Sequence, residues 1–417
     1  MNDKKSNQSV AGAAAAAQKT ATLADIRGIT VREEDVRAHV MRPPHVEGIV
    51  SSKGLEEGIK EFKLKFPAAP LYHFDVNAFG QGLHAALKSS VAGYVMRLRQ
   101  HGNTIYTLEW NWAKTPSDGG EGWQPGVRMH IASVSKMITA MAMTKVLNDK
   151  KMAYDTKIVD WLPKYWAKGP HIDQITFRDL MTHRSGFNTG KSDSDYGFMK
   201  ANVAAGVTAH GTYHYQNMNF GLCRILISTI TGVIPTTAVF NIPLLSNFND
   251  LVWDFTTING YVNCVQNHVF APAGVTGPSL DHPGPDALAY TFPVGGNGWN
   301  SGNLASVSGG AGWHASVDDL LTVMGTFRRA GSIMTKAQAQ TMLDSGFGID
   351  LIQSTPLGTL YNKNGLWQDG GGHVEQSLAY FLPQDMELVV LANSPVGSPG
   401  QFFRDVVTNL YLANIKP

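Results

Sequence analysis

Apolar and polar residues alternate along 91–99 and again along 104–112, on either side of His101-Gly102-Asn103. Alternation sends successive side chains to opposite faces, and the Gly-Asn step permits a tight reversal, so the stretch predicts a β-hairpin. Residues 359–368, 374–382 and 387–392 also read as strands, with Pro383-Gln384-Asp385 turning the last two into a second hairpin. Helical spacing is clearest over 133–147, where Val134, Met137, Ile138, Met141 and Val146 recur and Ala and Met favour the helical state. Leu320, Leu321, Met324 and Phe327 fall on one side of a helix predicted over 317–329. Residues 80–88, 176–182, 219–231 and 402–412 give further helices. The stretch between Gly232 and Tyr261 is apolar but poorly periodic and reads as an insertion. No internal repeat is present.

Strands thus sit at both ends of the chain with mostly helical material between them. That order predicts an α/β (α+β) chain with hairpin strands at both ends and a mostly helical middle. Ahead of them, 25–75 is mixed and charged with a Pro43-Pro44 break, and reads as an extension packed on the main body. Residues 1–24 read as a disordered tail. Their alanine run Ala13 to Ala17 is short for a signal peptide and is followed at once by Gln18-Lys19, so a cytoplasmic location is expected.

Composition narrows the function. With 417 residues the chain can bury a large core. A formal net charge of +1 offers no electrostatic case for nucleic acid or an anionic membrane. No apolar run approaches the ~20 residues that cross a bilayer. The two cysteines, Cys223 and Cys264, allow one disulfide, although the apolar setting of Cys223 favours a buried thiol. No metal-ligand spacing is visible, and neither a metal nor a cofactor is expected. Oligomeric state is not legible.

The chemistry concentrates in Ser133-Val134-Ser135-Lys136. A serine at the leading turn of a helix sits where free N–H groups and the positive dipole end favour an alkoxide or an oxyanion. Lys136, three residues on, reaches the same face, and partial dehydration lowers an ammonium's pKa until it can take a proton. A surface serine beside a surface lysine has the same spacing, and spacing alone favours that bland reading. The apolar helix that follows argues for an anchored site.

Ser133-x-x-Lys136 resembles the nucleophile motif of the penicillin-recognising serine hydrolases, nearest the branch of class C β-lactamases, D-alanyl-D-alanine carboxypeptidases and family VIII esterases. Other segments follow in that family's order. Leu180-Met181-Thr182-His183-Arg184-Ser185-Gly186 resembles a structural segment, which implies a scaffold role for His183 over a catalytic one. Tyr215-Gln216-Asn217 resembles the second motif, implying that Tyr215 relays the serine proton and Asn217 holds the lysine. Tyr261-Val262-Asn263 also fits, but only the first is followed by an apolar helix ending in Thr231-Gly232.

Lys363-Asn364-Gly365 matches the third motif by type, with Leu366 then supplying an oxyanion N–H beside that of Ser133. A competing register uses Gln368-Asp369-Gly370. The glycine turn Gly309-Gly310-Ala311-Gly312, with Trp313 and His314, resembles an architectural segment. The resemblance spans about 80–415 and implies a β-lactamase-like fold, an antiparallel sheet flanked by helices in an α/β lobe drawn from 76–150 and 301–417, plus a mostly helical lobe from about 151–300. Asn364 stands where relatives carry a small hydroxyl residue, which weakens a β-lactamase reading. The expected function is a serine hydrolase forming an acyl-enzyme on small carboxylic esters or related amides. The alternatives are a D-aminoacyl peptidase or β-lactamase using the same site, and a catalytically silent binding protein.

Overall fold

A computed structural model describes residues 72–190, 192–240, 248–281, 286–396 and 402–417. The tail at 1–24 and the extension as far as residue 71 lie outside the described residues. In chain order come β1 (His73–Phe74), α1 (Val76–Leu87), β2 (Gly93–Gln100), β3 (Asn103–Lys114), β4 (Glu121–Gly122), β5 (Met129–His130) and α2 (Ser135–Asp149). The middle of the chain forms α3 (Phe177–Met181), α4 (Tyr196–Ala205), α5 (Asn217–Ile230) and α6 (Phe248–Val265). Then follow β6 (His314–Ala315), α7 (Val317–Gly325), α8 (Lys336–Asp344), β7 (Leu351–Thr355), β8 (Gly358–Gln368), β9 (Val374–Leu382), β10 (Met386–Ala392), α9 (Phe403–Ala413) and β11 (Ile415–Lys416).

Seven strands build one sheet in the order β4-β3-β2-β10-β9-β8-β7, and the pairs are antiparallel. Both hairpins read from the sequence are present. His101 and Gly102 take φ of 50° and 83°, the left-handed pair that matches a two-residue turn to strand twist, while Pro383-Gln384-Asp385 forms a three-residue loop with Gln384 and Asp385 both at 58°. Strands β9 and β10 are buried along their whole length. Alternate residues feed two cores. Tyr94, Met96, Leu98, Leu388 and Val390 pack with Phe79 of α1 and Phe403 and Val407 of α9. Val95, Phe381, Val389 and Leu391 pack with α2 and the helices around it.

Several elements depart from the sequence reading. The helix expected from Ser133 begins at Ser135, because Ala132–Val134 forms a separate 3-10 turn. The poorly periodic insertion contains α6, whose Trp253, Tyr261, Cys264 and Val265 are buried. The regular helix at 317–329 stops at Gly325, and a wider turn, Thr326–Ala330, completes it. Helices α4 and α8 and strand β7 escaped the sequence reading, being short and weakly patterned. Cys223 and Cys264 are both free and buried. Among the described residues no helix is long and apolar enough to cross a membrane.

Candidate active site

The site forms where α2 starts beside β8. Helix α2 is buried from Ser135 to Thr144 on all sides, so packing fixes its first turn as a rigid platform. Ala132 enters that turn with φ 45°, a left-handed conformation that costs an L-residue about 1 kcal/mol or more and redirects the chain at the serine. Val134 N–H bonds Ile131 O at 3.0 Å, closing the turn.

Ser133 Oγ accepts two hydrogen bonds, from Lys136 Nζ at 2.9 Å and from Tyr215 Oη at 2.7 Å. Lys136 is fully buried, and its ammonium also donates to Asn217 Oδ1 at 2.7 Å and to Gly310 O at 2.6 Å. Asn217 opens α5, and its N–H, which has no intrahelical acceptor, donates to Ser192 Oγ at 2.9 Å. Tyr215 lies two residues before that helix. The His183 ring lies 4.3 Å from the Tyr215 ring, and His183 Nδ1 accepts from Gln216 N at 3.3 Å, tying the tyrosine's loop in place.

The electrostatics follow from burial and two cations. Burial holds the Lys136 ammonium below its ordinary pKa, a tendency that Tyr215 opposes and Lys363 reinforces. Burial alone would push the Tyr215 phenol up, but the neighbouring Lys136 and Lys363 charges bring it below its ordinary value. Burial would lower Lys363 too, yet Asp350 and Tyr215 hold it above its ordinary value. His183 is driven well below its ordinary value by burial and by both lysines, and so is neutral.

Lys363-Asn364-Gly365 lies inside β8, whereas Gln368 ends that strand and Asp369-Gly370 occupy the turn after it. Gly365 pairs with Ser377, and Ser377 Oγ donates to Ile131 O at 2.6 Å, joining the sheet to the turn that carries Ser133. Lys363 Nζ stands 5.0 Å from the centre of the Tyr215 ring, and Lys136 Nζ 4.9 Å from it. Asn364 and Leu366 line a cavity of about 320 Å³ together with Ser133, Tyr213, Tyr215, Asp350 and Arg404. An adjoining cavity of about 480 Å³ adds Leu378, Phe402 and Phe403.

Tyr261, the competing tyrosine, is buried in the core, bonded to Thr139 Oγ1 at 2.7 Å and to Trp313 Nε1 at 2.9 Å. Trp313 and His314 are buried as well. Among the described residues no cluster of three or more His, Cys, Asp or Glu is arranged to hold a metal.

Asp350 and Gly310 were not found from the sequence. Asp350 carried a signal in hindsight. A hairpin turning at Pro356-Leu357 sets Leu351 opposite Asn362, and one further step sets Asp350 opposite Lys363. Gly310 acts through a backbone carbonyl, which residue identity does not mark.

Residues 77–241 match the family model described as Beta-lactamase. The β-lactamase/D-alanine carboxypeptidase from Pseudomonas syringae superposes with a TM-score of 0.61 at 14% identity, covering 82% of this chain and 99% of that one. FmtA from Staphylococcus aureus gives 0.60 at 15% identity, covering 89% and 98%. A D-stereospecific amidohydrolase from Streptomyces gives 0.57 at 19% identity, covering 81% and 98%. The fold is therefore β-lactamase-like, and the resemblance to the penicillin-recognising serine hydrolase superfamily holds. Among curated proteins, a putative fimbrial assembly protein FimD, serogroup D, from Dichelobacter nodosus is 30% identical over 95 residues. That match spans 22% of this chain and only 23% of the relative's length.

Proposed function

We propose that the protein is a serine hydrolase that cleaves small carboxylic esters or related amides through an acyl-enzyme on Ser133. The observation that carries this reading is the double contact at Ser133 Oγ, 2.9 Å from Lys136 Nζ and 2.7 Å from Tyr215 Oη. Both groups have pKa values held below their ordinary ones, so one proton leaves the pair more readily than from either group in water. With that proton gone, the same contact receives the serine proton as Oγ attacks the carbonyl carbon.

The oxyanion is held by the N–H groups of Ser133 and Leu366, each such donor contributing about 3 kcal/mol in sites of this kind. Collapse expels the alcohol or amine, which takes its proton from Tyr215. Water then repeats the sequence at the acyl carbonyl, returning Ser133. Asn217 and Gly310 O hold Lys136 in line throughout.

Esters are favoured over β-lactams because Asn364 replaces the hydroxyl residue and because Lys363 already has a carboxylate partner in Asp350. The test is turnover of a short-chain nitrophenyl ester against a chromogenic cephalosporin and a D-alanyl peptide, with a fluorophosphonate probe for the serine. Ester turnover with labelling at Ser133 supports the reading. Labelling with turnover confined to the cephalosporin or the peptide would move the assignment to the alternative substrates. Absence of both labelling and turnover would leave a silent binding protein.

A further inference from the structure

Asp350 stands just before β7 at the cleft wall and belongs to none of the motifs that define the proposed site. Its carboxylate is bonded at both oxygens to consecutive residues of β8, with Oδ1 2.6 Å from Lys363 Nζ and Oδ2 accepting Asn364 N–H at 3.1 Å. Asp350 N–H donates in turn to Asn362 O at 2.8 Å. Three successive residues of the strand are thus held by one residue, at the point where the regular β7 pairing ends. Lys363 is almost wholly buried, its side chain 1% exposed against 10% for Asp350.

We propose that Asp350 is a positioning residue of the hydrolytic site, keeping Lys363 charged and seated against the Tyr215 ring while pinning the strand that runs into Gly365 and Leu366. The proposal rests on the serine-hydrolase reading and deepens it.

The physical case begins with the cost of a buried ammonium. Removing one partner of such a pair leaves an uncompensated charge, which the protein relieves by releasing the proton. The groups facing Lys363 are Asp350 from the start of β7, Lys136 from α2, and Tyr213, Tyr215 and His183 from the loops before α5. Of these Asp350 alone bears an opposite charge when Tyr215 is protonated. Burial disfavours the Lys363 charge and Asp350 is the largest influence restoring it. Once Lys363 is neutral, Tyr215 loses one of the two cations that make its phenol acidic.

The experiment is the pH dependence of ester kcat/KM in wild type, Asp350→Asn and Asp350→Glu, with folding checked by thermal melts and near-ultraviolet circular dichroism. Wild type is expected to hold its activity to alkaline pH, because Lys363 keeps its proton there. Asp350→Asn is expected to acquire a descending alkaline limb, losing activity about tenfold per pH unit above the new ionisation. Asp350→Glu should restore the wild-type shape even at reduced rate.

A folded Asp350→Asn protein whose profile has the wild-type shape overturns the proposal, whatever its rate. If Asp350→Asn does not fold, Asp350→Glu decides: activity held to alkaline pH as in wild type supports the charge role, and a descending alkaline limb in the folded Asp350→Glu protein overturns it. Absence of ester turnover in wild type is a separate outcome, which fails the hydrolase reading itself.

Discussion

Gly365 lies directly against the backbone of Ser133. A Cβ at this position would come 2.9 Å from Ser133 N, 2.6 Å from Ile131 O and 2.4 Å from Ser377 Oγ. The glycine is needed for close approach, since its strand conformation is ordinary and the crowding atoms include rigid backbone. Gly365→Ala should push the turn that carries Ser133 away from β8. A displacement near 1 Å in a catalytic constellation costs on the order of a hundredfold in rate, whereas overpacking costs about 1–3 kcal/mol of stability. Ester kcat/KM and a denaturation midpoint on one preparation check this. Activity retained in full would show that the turn is not set by that contact.

Two tyrosines fit one motif in the sequence, and they stand in different surroundings. Tyr215 touches Ser133 Oγ, while Tyr261 sits in the core on Thr139 and Trp313. Tyr215→Phe should lower ester turnover heavily, and Ser133→Ala should abolish it, by at least about a thousandfold. Tyr261→Phe should keep turnover and lose about 1–2 kcal/mol of stability, the worth of its hydrogen bonds. Steady-state kinetics paired with urea melts distinguish the two outcomes. Loss of turnover in a folded Tyr261→Phe protein would reverse the assignment.

What the sequence could reveal here follows from how information is stored along the chain. Strands β9 and β10 were legible because alternation and a turn are local signals, and Ser133 with Lys136 because three residues of a helical turn fix their spacing. Helix α6 was not legible. It lies between the core and solvent with Leu251 and Phe255 exposed, so its apolar residues do not mark one face. The break at Ala132 follows Ile131, whose O accepts from Ser377 Oγ and whose N–H donates to Trp313 O, long-range contacts that no local pattern encodes. Asp350 needed a strand register, and that register needed β7, which is short and half exposed.

His130, three residues before Ser133, forms a buried pair with Glu375, Nδ1 to Oε2 at 2.9 Å. Gly312 N–H donates to His130 Nε2 at 3.1 Å, which places the ring proton on Nδ1 and makes Glu375 the acceptor. Burial pushes the His130 imidazole down to about 3, so it is neutral near pH 7, and pushes the Glu375 carboxyl well above its ordinary range, favouring the protonated form. Glu375→Gln, which keeps an acceptor, should fold normally. Glu375→Leu should lose about 1–3 kcal/mol by leaving the imidazole N–H unpaired.

The sign with pH also follows from that pair. A raised carboxyl binds more protons folded than unfolded, so its stabilising contribution is complete below 4.5 and is lost as pH climbs through the raised value. Glu375→Gln should therefore gain stability relative to wild type as pH rises from 4.5 to that raised value. Melting both proteins across pH 5 to 9 measures it, and a constant difference would contradict the neutral carboxyl.

Activity should show an ascending limb with pH that belongs to Lys136 and Tyr215 together. Their groups contact the same oxygen, so the proton lost between them is shared and no single-residue value describes it. Burial lowers Lys136, and the two ammonium charges outweigh burial at Tyr215, so the apparent midpoint should lie below the 10 and 10.5 of the isolated groups. Lys136→Arg is the sharpest probe. A guanidinium keeps its proton at any working pH, so the variant retains the positive charge but supplies no base. Its kcat/KM should fall by about a hundredfold or more, within the span general-base catalysis contributes, and the remaining limb should move to the phenol alone. A Lys136→Arg enzyme with the wild-type rate and midpoint would mean that the amine supplies charge to the site and takes no proton from the serine.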